Sequence, residues 1–165
     1  MTNKYDQYFI RGPKAGETRP GFKDCIAFLD DDVIKDSLYF MIAYNKPGWL
    51  PPSHGPHVHD HPEILGWFGL DPDNPFDLGG KCTIYMGEEM ERHDFDTSTL
   101  LYIPPGLPHC PIVYKEITRP YIFLYTMPTS VLQETSRRDL LDLVPEEDRA
   151  RVIFPYDMKK NEEEK

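Results

Sequence analysis

Apolar residues along this chain gather in short runs rather than in helical stripes. Residues 37–45 (SLYFMIAYN) are nearly continuously apolar, as in a strand covered on both faces. Residues 64–69 (ILGWFG) form a second such run. Residues 81–86 alternate instead, with Cys82, Ile84 and Met86 on one face and Thr83 and Tyr85 on the other. Shorter runs at 8–10, 25–29, 99–103, 112–117 and 121–126 read the same way. Turn formers separate them, most densely at 11–21 and 71–80, while 88–96 is a charged stretch. About eight to ten short strands punctuated by Gly, Pro and Asp predict an all-β sandwich or barrel. The period changes only after Pro128. There Leu140, Leu141, Leu143 and Val144 have helical spacing, with Ser136 as the expected cap and Pro145 as the stop. A second short helix is expected from Pro145-Glu146-Glu147, followed by a charged tail.

Composition fits one globular domain: 165 residues, 39% hydrophobic and 13% aromatic, with 17 prolines and 11 glycines. A formal charge of -10 disfavours nucleic acid and anionic membrane as partners, since both reward basic surface. The three cysteines, Cys25, Cys82 and Cys110, include no close pair, so free thiols are expected. No leader-like or spanning apolar stretch is visible, and the expected compartment is the cytoplasm.

Candidate chemistry is concentrated in PPSHGPHVHDHPE, residues 51–63, which holds four of the six histidines and ends in a carboxylate. Residues two apart on a strand face the same way, so His57 and His59 point together. Pro62 breaks ladder pairing nearby, which lets Glu63, opening the next strand, swing back beside them. His109 follows a stiff PPGLP turn. Three imidazoles and one carboxylate suit a borderline divalent metal and leave coordination positions open.

These residues resemble the two sequence motifs of the cupin superfamily. The first is HxH, three residues, then Glu (His57-Val58-His59…Glu63). The second is PxGxxH (Pro104-Pro105-Gly106-Leu107-Pro108-His109). Departures fall at turn positions: Pro51 and Ser98 replace motif glycines, Val113 replaces an asparagine, and Gly69 is one position early. The resemblance covers roughly residues 37–126. It implies a jelly-roll β-barrel, a homodimer, and one divalent transition metal (Fe, Mn, Ni, Co or Zn) held by His57, His59, Glu63 and His109. On this reading residues 1–36 are strands and loops joining the barrel, 37–128 are the barrel core, and 129–165 are a terminal helix and tail, all one domain.

The expected function is that of a small-molecule metalloenzyme. The metal would act as Lewis acid in isomerase, lyase or decarboxylase chemistry on a sugar, sugar acid or keto acid, with Glu63 or a neighbouring side chain moving the proton. Fe(II)-dependent oxygenation is the alternative, and a non-catalytic ligand-binding or sensing module is the competing class. Expected ligand contacts are His61 and the tyrosines Tyr39, Tyr85, Tyr102 and Tyr125. Arg119, with Lys115, is a candidate to pair a substrate carboxylate. His54 is expected solvated or behind a ligand, and His93 at the surface. Cys110 is expected to be a buried thiol on the far side of its strand.

Overall fold

The computed structural model describes residues 4–11 and 25–154. Its strands are β1 (Cys25–Leu29), β2 (Tyr39–Asn45), β3 (Ser53–His54), β4 (His57–Val58), β5 (Glu63–Gly69) and β6 (Asp77–Met86). They continue with β7 (Glu91–Thr97), β8 (Thr99–Ile103), β9 (His109–Ile117), β10 (Tyr121–Met127), β11 (Thr135–Ser136) and β12 (Val152–Ile153). Two five-stranded sheets face each other, in the orders β1-β2-β10-β5-β8 and β11-β4-β9-β6-β7. From β2 onward the chain crosses between the sheets at nearly every step, staying in one sheet only for the β6–β7 hairpin. That crossing pattern is a jelly roll.

Strand alternation builds the core. Along β2 and β10 every second residue is buried and the residues between are half-buried. Trp67 is fully buried, with its ring edge-on to Phe95 at 4.8 Å and tilted against Phe123 at 5.4 Å. The outward positions of this sheet are also apolar: Ile42 and Leu124 are paired in register, Gly66 follows beside Leu124, and Leu100 beside Gly66.

Four elements differ from the sequence expectation. Residues 8–10 do not form a strand, and Asp6–Tyr8 is a 3₁₀ turn instead. Residues 77–80, expected in a loop, begin β6. The charged stretch contains β7, an edge strand whose exposed Glu, Arg, His and Asp side chains deter pairing with another chain. The terminal leucines form a 3₁₀ turn, Arg138–Leu143, followed by the short helix α1, Glu146–Arg149. Ser136 lies in β11 rather than capping, and Pro145 follows soon after. The few residues between them cannot repay nucleation of an α-helix. The tail at 161–165 lies outside the described residues, as do most of 11–21.

The terminal segment lies against the outer face of the second sheet. Leu140 and Val144 pack there on Tyr85 and Met90. Tyr85 Oη donates to Asp148 Oδ2 at 2.7 Å, and Lys115 Nζ pairs with Asp148 Oδ1. The thiols of Cys25, Cys82 and Cys110 are all free. Among the described residues no helix is long and apolar enough to cross a membrane.

Two glycines are required by the backbone, Gly106 beside the histidine stretch and Gly69 at the end of β5 away from Glu63. Gly106 has φ +77°, and its amide donates to the His59 carbonyl at 2.8 Å, pinning the PPGLP turn to the histidine stretch. Gly69 lies so close to β6 that an added Cβ would sit 2.1 Å from the Asp77 carbonyl oxygen. Gly106→Ala, which forces an L residue into the left-handed region, is expected to lower unfolding free energy by about 1–2 kcal/mol. Gly69→Ala should cost more, because backbone must move. Denaturant titration of both variants checks the order.

Candidate metal centre

β4 and β9 bring two imidazoles together directly, since His57 and His109 are register partners across the second sheet. Glu63 arrives from the first sheet, at the start of β5. His59 follows β4 by one residue and stays on the His57 side. One ligand atom from each of His57, His59, Glu63 and His109 lies within 4.8 Å of the others, and all four residues are buried. Ring centroids are 4.3 Å apart for His57 and His109, and 4.9 Å for His57 and His59.

Each imidazole is oriented by backbone. Nδ1–H donates to the carbonyl of Gly55 from His57 (2.8 Å), of Gln133 from His59 (2.5 Å) and of Leu107 from His109 (3.0 Å). Because a carbonyl only accepts, the proton belongs on Nδ1 and the Nε2 lone pair is left facing inward. Glu63 Oε2 lies 3.0 Å from His109 Nε2 and 3.7 Å from His59 Nε2. Neither contact has hydrogen-bond geometry: His59 Nε2, His109 Nε2 and Glu63 Oε2 are all buried without a partner. Buried polar atoms left unsatisfied are costly and rare, and three converging acceptors are the arrangement that a cation satisfies. The residues therefore fit a divalent metal ion.

Burial and the neighbouring imidazoles of His109, His54 and His59 push His57 well below its ordinary 6.5. Burial is also the leading cause lowering His59. Both are thus held as the neutral ligands a metal requires. Burial, then the carboxylates of Glu63 and Glu134, raises the Cys110 thiol well above 9.0. Cys110 is not on the far side of its strand: it lines the cavity, because its backbone takes φ +73° and breaks the alternation. Its raised thiol is no ready nucleophile.

A cavity of about 60 Å³ opens beside the quartet. Of the tyrosines expected there, Tyr125 lines it. Tyr39 is fully buried behind, its hydroxyl accepting from Tyr125 at 2.6 Å. Tyr85 and Tyr102 do not line the cavity, since alternation aims them outward: Tyr85 under the terminal segment and Tyr102 into solvent at 59% exposure. His61 also turns away, its ring stacked on His59 and its Nε2 2.9 Å from Met127 Sδ. Arg119 is at the opposite end of β10 from Glu63 and is paired with Asp77 at 2.6 Å. Lys115 is taken by Asp148. His93 is at the surface, 3.3 Å from Glu91.

Glu134 was not legible as a site residue. Its side chain is only 2% exposed; Oε2 lies 3.1 Å from His54 Nδ1 and 3.8 Å from His57 Nε2. It reaches the cavity because β11 pairs with β4, Ser136 opposite His57, folding the preceding loop over the barrel mouth. One signal pointed to it: Glu134 is the sole charged residue between Met127 and Ser136.

No family model and no curated protein matches the chain. Among solved structures it is similar to an oxalate decarboxylase from Lactobacillus farciminis, at 18% identity and TM-score 0.45, over 75% of this chain and 34% of that one. It is also similar to a DMSP lyase from Ruegeria pomeroyi, at 20% identity and TM-score 0.37, over 62% of this chain and 44% of that one. A Klebsiella pneumoniae protein with a double-stranded beta-helix domain matches at 16% identity and TM-score 0.45, over 72% and 84% of the two chains. The chain thus spans about a third of the length of the decarboxylase it matches. At these scores none of them identifies a reaction, and the chemistry must be read from the chain's own side chains.

The lowered imidazoles give the metal-free protein a pH dependence of known sign. His57 and His59 stay neutral when folded but take protons near 6.5 when unfolded. Stability is therefore complete above that pH and declines below it, toward each group's lowered value. Chelator-treated protein should melt at progressively lower temperature from about pH 7.5 to about pH 5. His57→Gln should flatten that slope, and an unchanged slope would contradict the neutral assignment.

Proposed function

We propose that this cupin-type barrel is a metal-dependent enzyme acting on a small molecule, with one Fe, Mn, Ni, Co or Zn ion held by His57, His59, Glu63 and His109. The observation that carries this reading is the set of inward-facing, buried ligand atoms left without partners. A bound divalent ion would supply Lewis acidity, polarising a carbonyl or hydroxyl oxygen of the ligand.

The chain's own groups supply the rest. The Gly55, Gln133 and Leu107 carbonyls fix the imidazoles before any ligand arrives, which removes a reorganisation cost. Leu65, Ile112, Phe123 and Leu132 wall the cavity and exclude water. Glu63, facing His109 and His59, serves as a ligand. The carboxylate left to take a proton from a bound ligand is Glu134, held in place by His54 Nδ1–H, which donates to its Oε2 at 3.1 Å.

Elemental analysis of protein purified without added metal tests the centre. About one transition-metal ion per chain is expected. His57→Ala and His109→Ala should lose it while keeping a cooperative melt, and Glu134→Gln should retain it. Unchanged metal content in both alanine variants would remove the reading. Oxygen uptake by anaerobically Fe(II)-loaded protein with a candidate substrate would redirect it to the dioxygenase class. Ligand binding without turnover would redirect it to a sensing module.

We also infer a homodimer joined through the outer face of the first sheet. Ile42, Leu124, Phe68, Leu100 and Tyr102 form an apolar surface there, which a lone soluble barrel does not otherwise need. Leu100 is 65% exposed, so Leu100→Glu should leave the fold intact. It is expected to convert a dimer into a monomer by sedimentation; a wild-type monomer would overturn this.

A further inference from the structure

The side chains around the cavity are unusual in their charge. Two are carboxylates, Glu63 and Glu134, and no Lys or Arg is among the lining residues described. The two cations expected to meet a ligand carboxylate are both paired elsewhere, Arg119 with Asp77 and Lys115 with Asp148. Much of the remaining wall is apolar: Pro51, Leu65, Ile112, Phe123 and Leu132. Glu134 is fixed rather than free to swing away, since Oε2 is hydrogen-bonded to His54 Nδ1 and its side chain is 2% exposed.

Charge counting turns this into specificity. A divalent ion bound by Glu63 alone would keep one net positive charge, and its open position would attract anions. Glu134 beside His57 cancels that charge, and no Lys or Arg among the described lining residues restores it. An entering carboxylate would meet a neutralised metal, a second carboxylate at close range and an apolar wall. Burying a charge there without a partner is unfavourable.

We propose that Glu134, anchored by His54, is the specificity-determining residue of this cavity: it admits small neutral ligands bearing a carbonyl or hydroxyl oxygen and rejects carboxylates. The proposal rests on the metal centre proposed for this barrel and narrows it. Of the substrate classes the sequence suggested, sugar acids and keto acids are set aside, and neutral carbonyl compounds remain.

Acetate and acetamide test this directly, being nearly the same shape and differing in charge. Binding of each to the Zn(II)-loaded full chain is measured by calorimetry and by thermal shift. Wild-type protein is expected to bind acetamide more tightly than acetate. Glu134→Gln, which keeps the side chain's shape, should tighten acetate by at least about tenfold, the range typical of one removed charge contact, and change acetamide by less than about twofold. Glu146→Gln, an exposed charge change on α1, should alter neither. The proposal is overturned if wild type binds acetate as tightly as acetamide, if it binds neither, or if Glu134→Gln leaves acetate unaffected. The wild-type comparison decides even if the variant fails to fold. Metal content, measured on the same samples, separates the two readings. If no zinc is taken up, the metal centre fails. The same ligand pair on metal-free protein then still tests Glu134, with the same order expected.

Discussion

Three backbone carbonyls govern this site. Gly55, Gln133 and Leu107 each accept an Nδ1–H, and by doing so they fix a tautomer, a ring plane and the direction of a lone pair. Without them the imidazoles would rotate and share protons among themselves. With them, the Nε2 atoms of His59 and His109 have nothing to bond except what enters between them and Glu63. All three carbonyls lie in connections beside strand ends, before β4, β9 and β11, and the barrel's job is to hold those connections in place.

The apolar layer adds the second requirement. Burial keeps His57 and His59 neutral and also removes water that would compete for their lone pairs. The same burial raises Cys110 out of the reactive range. A single physical cause therefore prepares the ligands and silences the one thiol beside them.

Much of this was readable from residue order. The apolar runs marked β2, β5, β8 and β10, the alternation at 81–86 marked β6, and the spacing of His57, His59, Glu63 and His109 marked the cluster, because strand geometry converts period two directly into facing. What alternation cannot say is which face of a strand is inward. Tyr85 and Tyr102 were misplaced for that reason, and Arg119 because its distance from Glu63 along β10 is a matter of register. β7 was hidden since an edge strand is selected for charge, not for hydrophobicity. Glu134 stands out in residue order only as a lone charge, and its place at the cavity depends on β11 pairing with β4, a two-residue ladder too short to leave a pattern. The terminal turn was misread as an α-helix because leucine spacing does not report how few residues precede Pro145.

One short connection carries an unusual share of the design. Leu132, Gln133 and Glu134 are consecutive, and they supply respectively a wall, the acceptor that aims His59, and the second carboxylate. A cap of three residues thus sets both how a ligand-bearing ring is turned and what charge greets an incoming molecule, while the strands beneath contribute neither choice. Descendants of such a chain could trade one chemistry for another by rewriting this tripeptide, leaving the scaffold that folds it untouched.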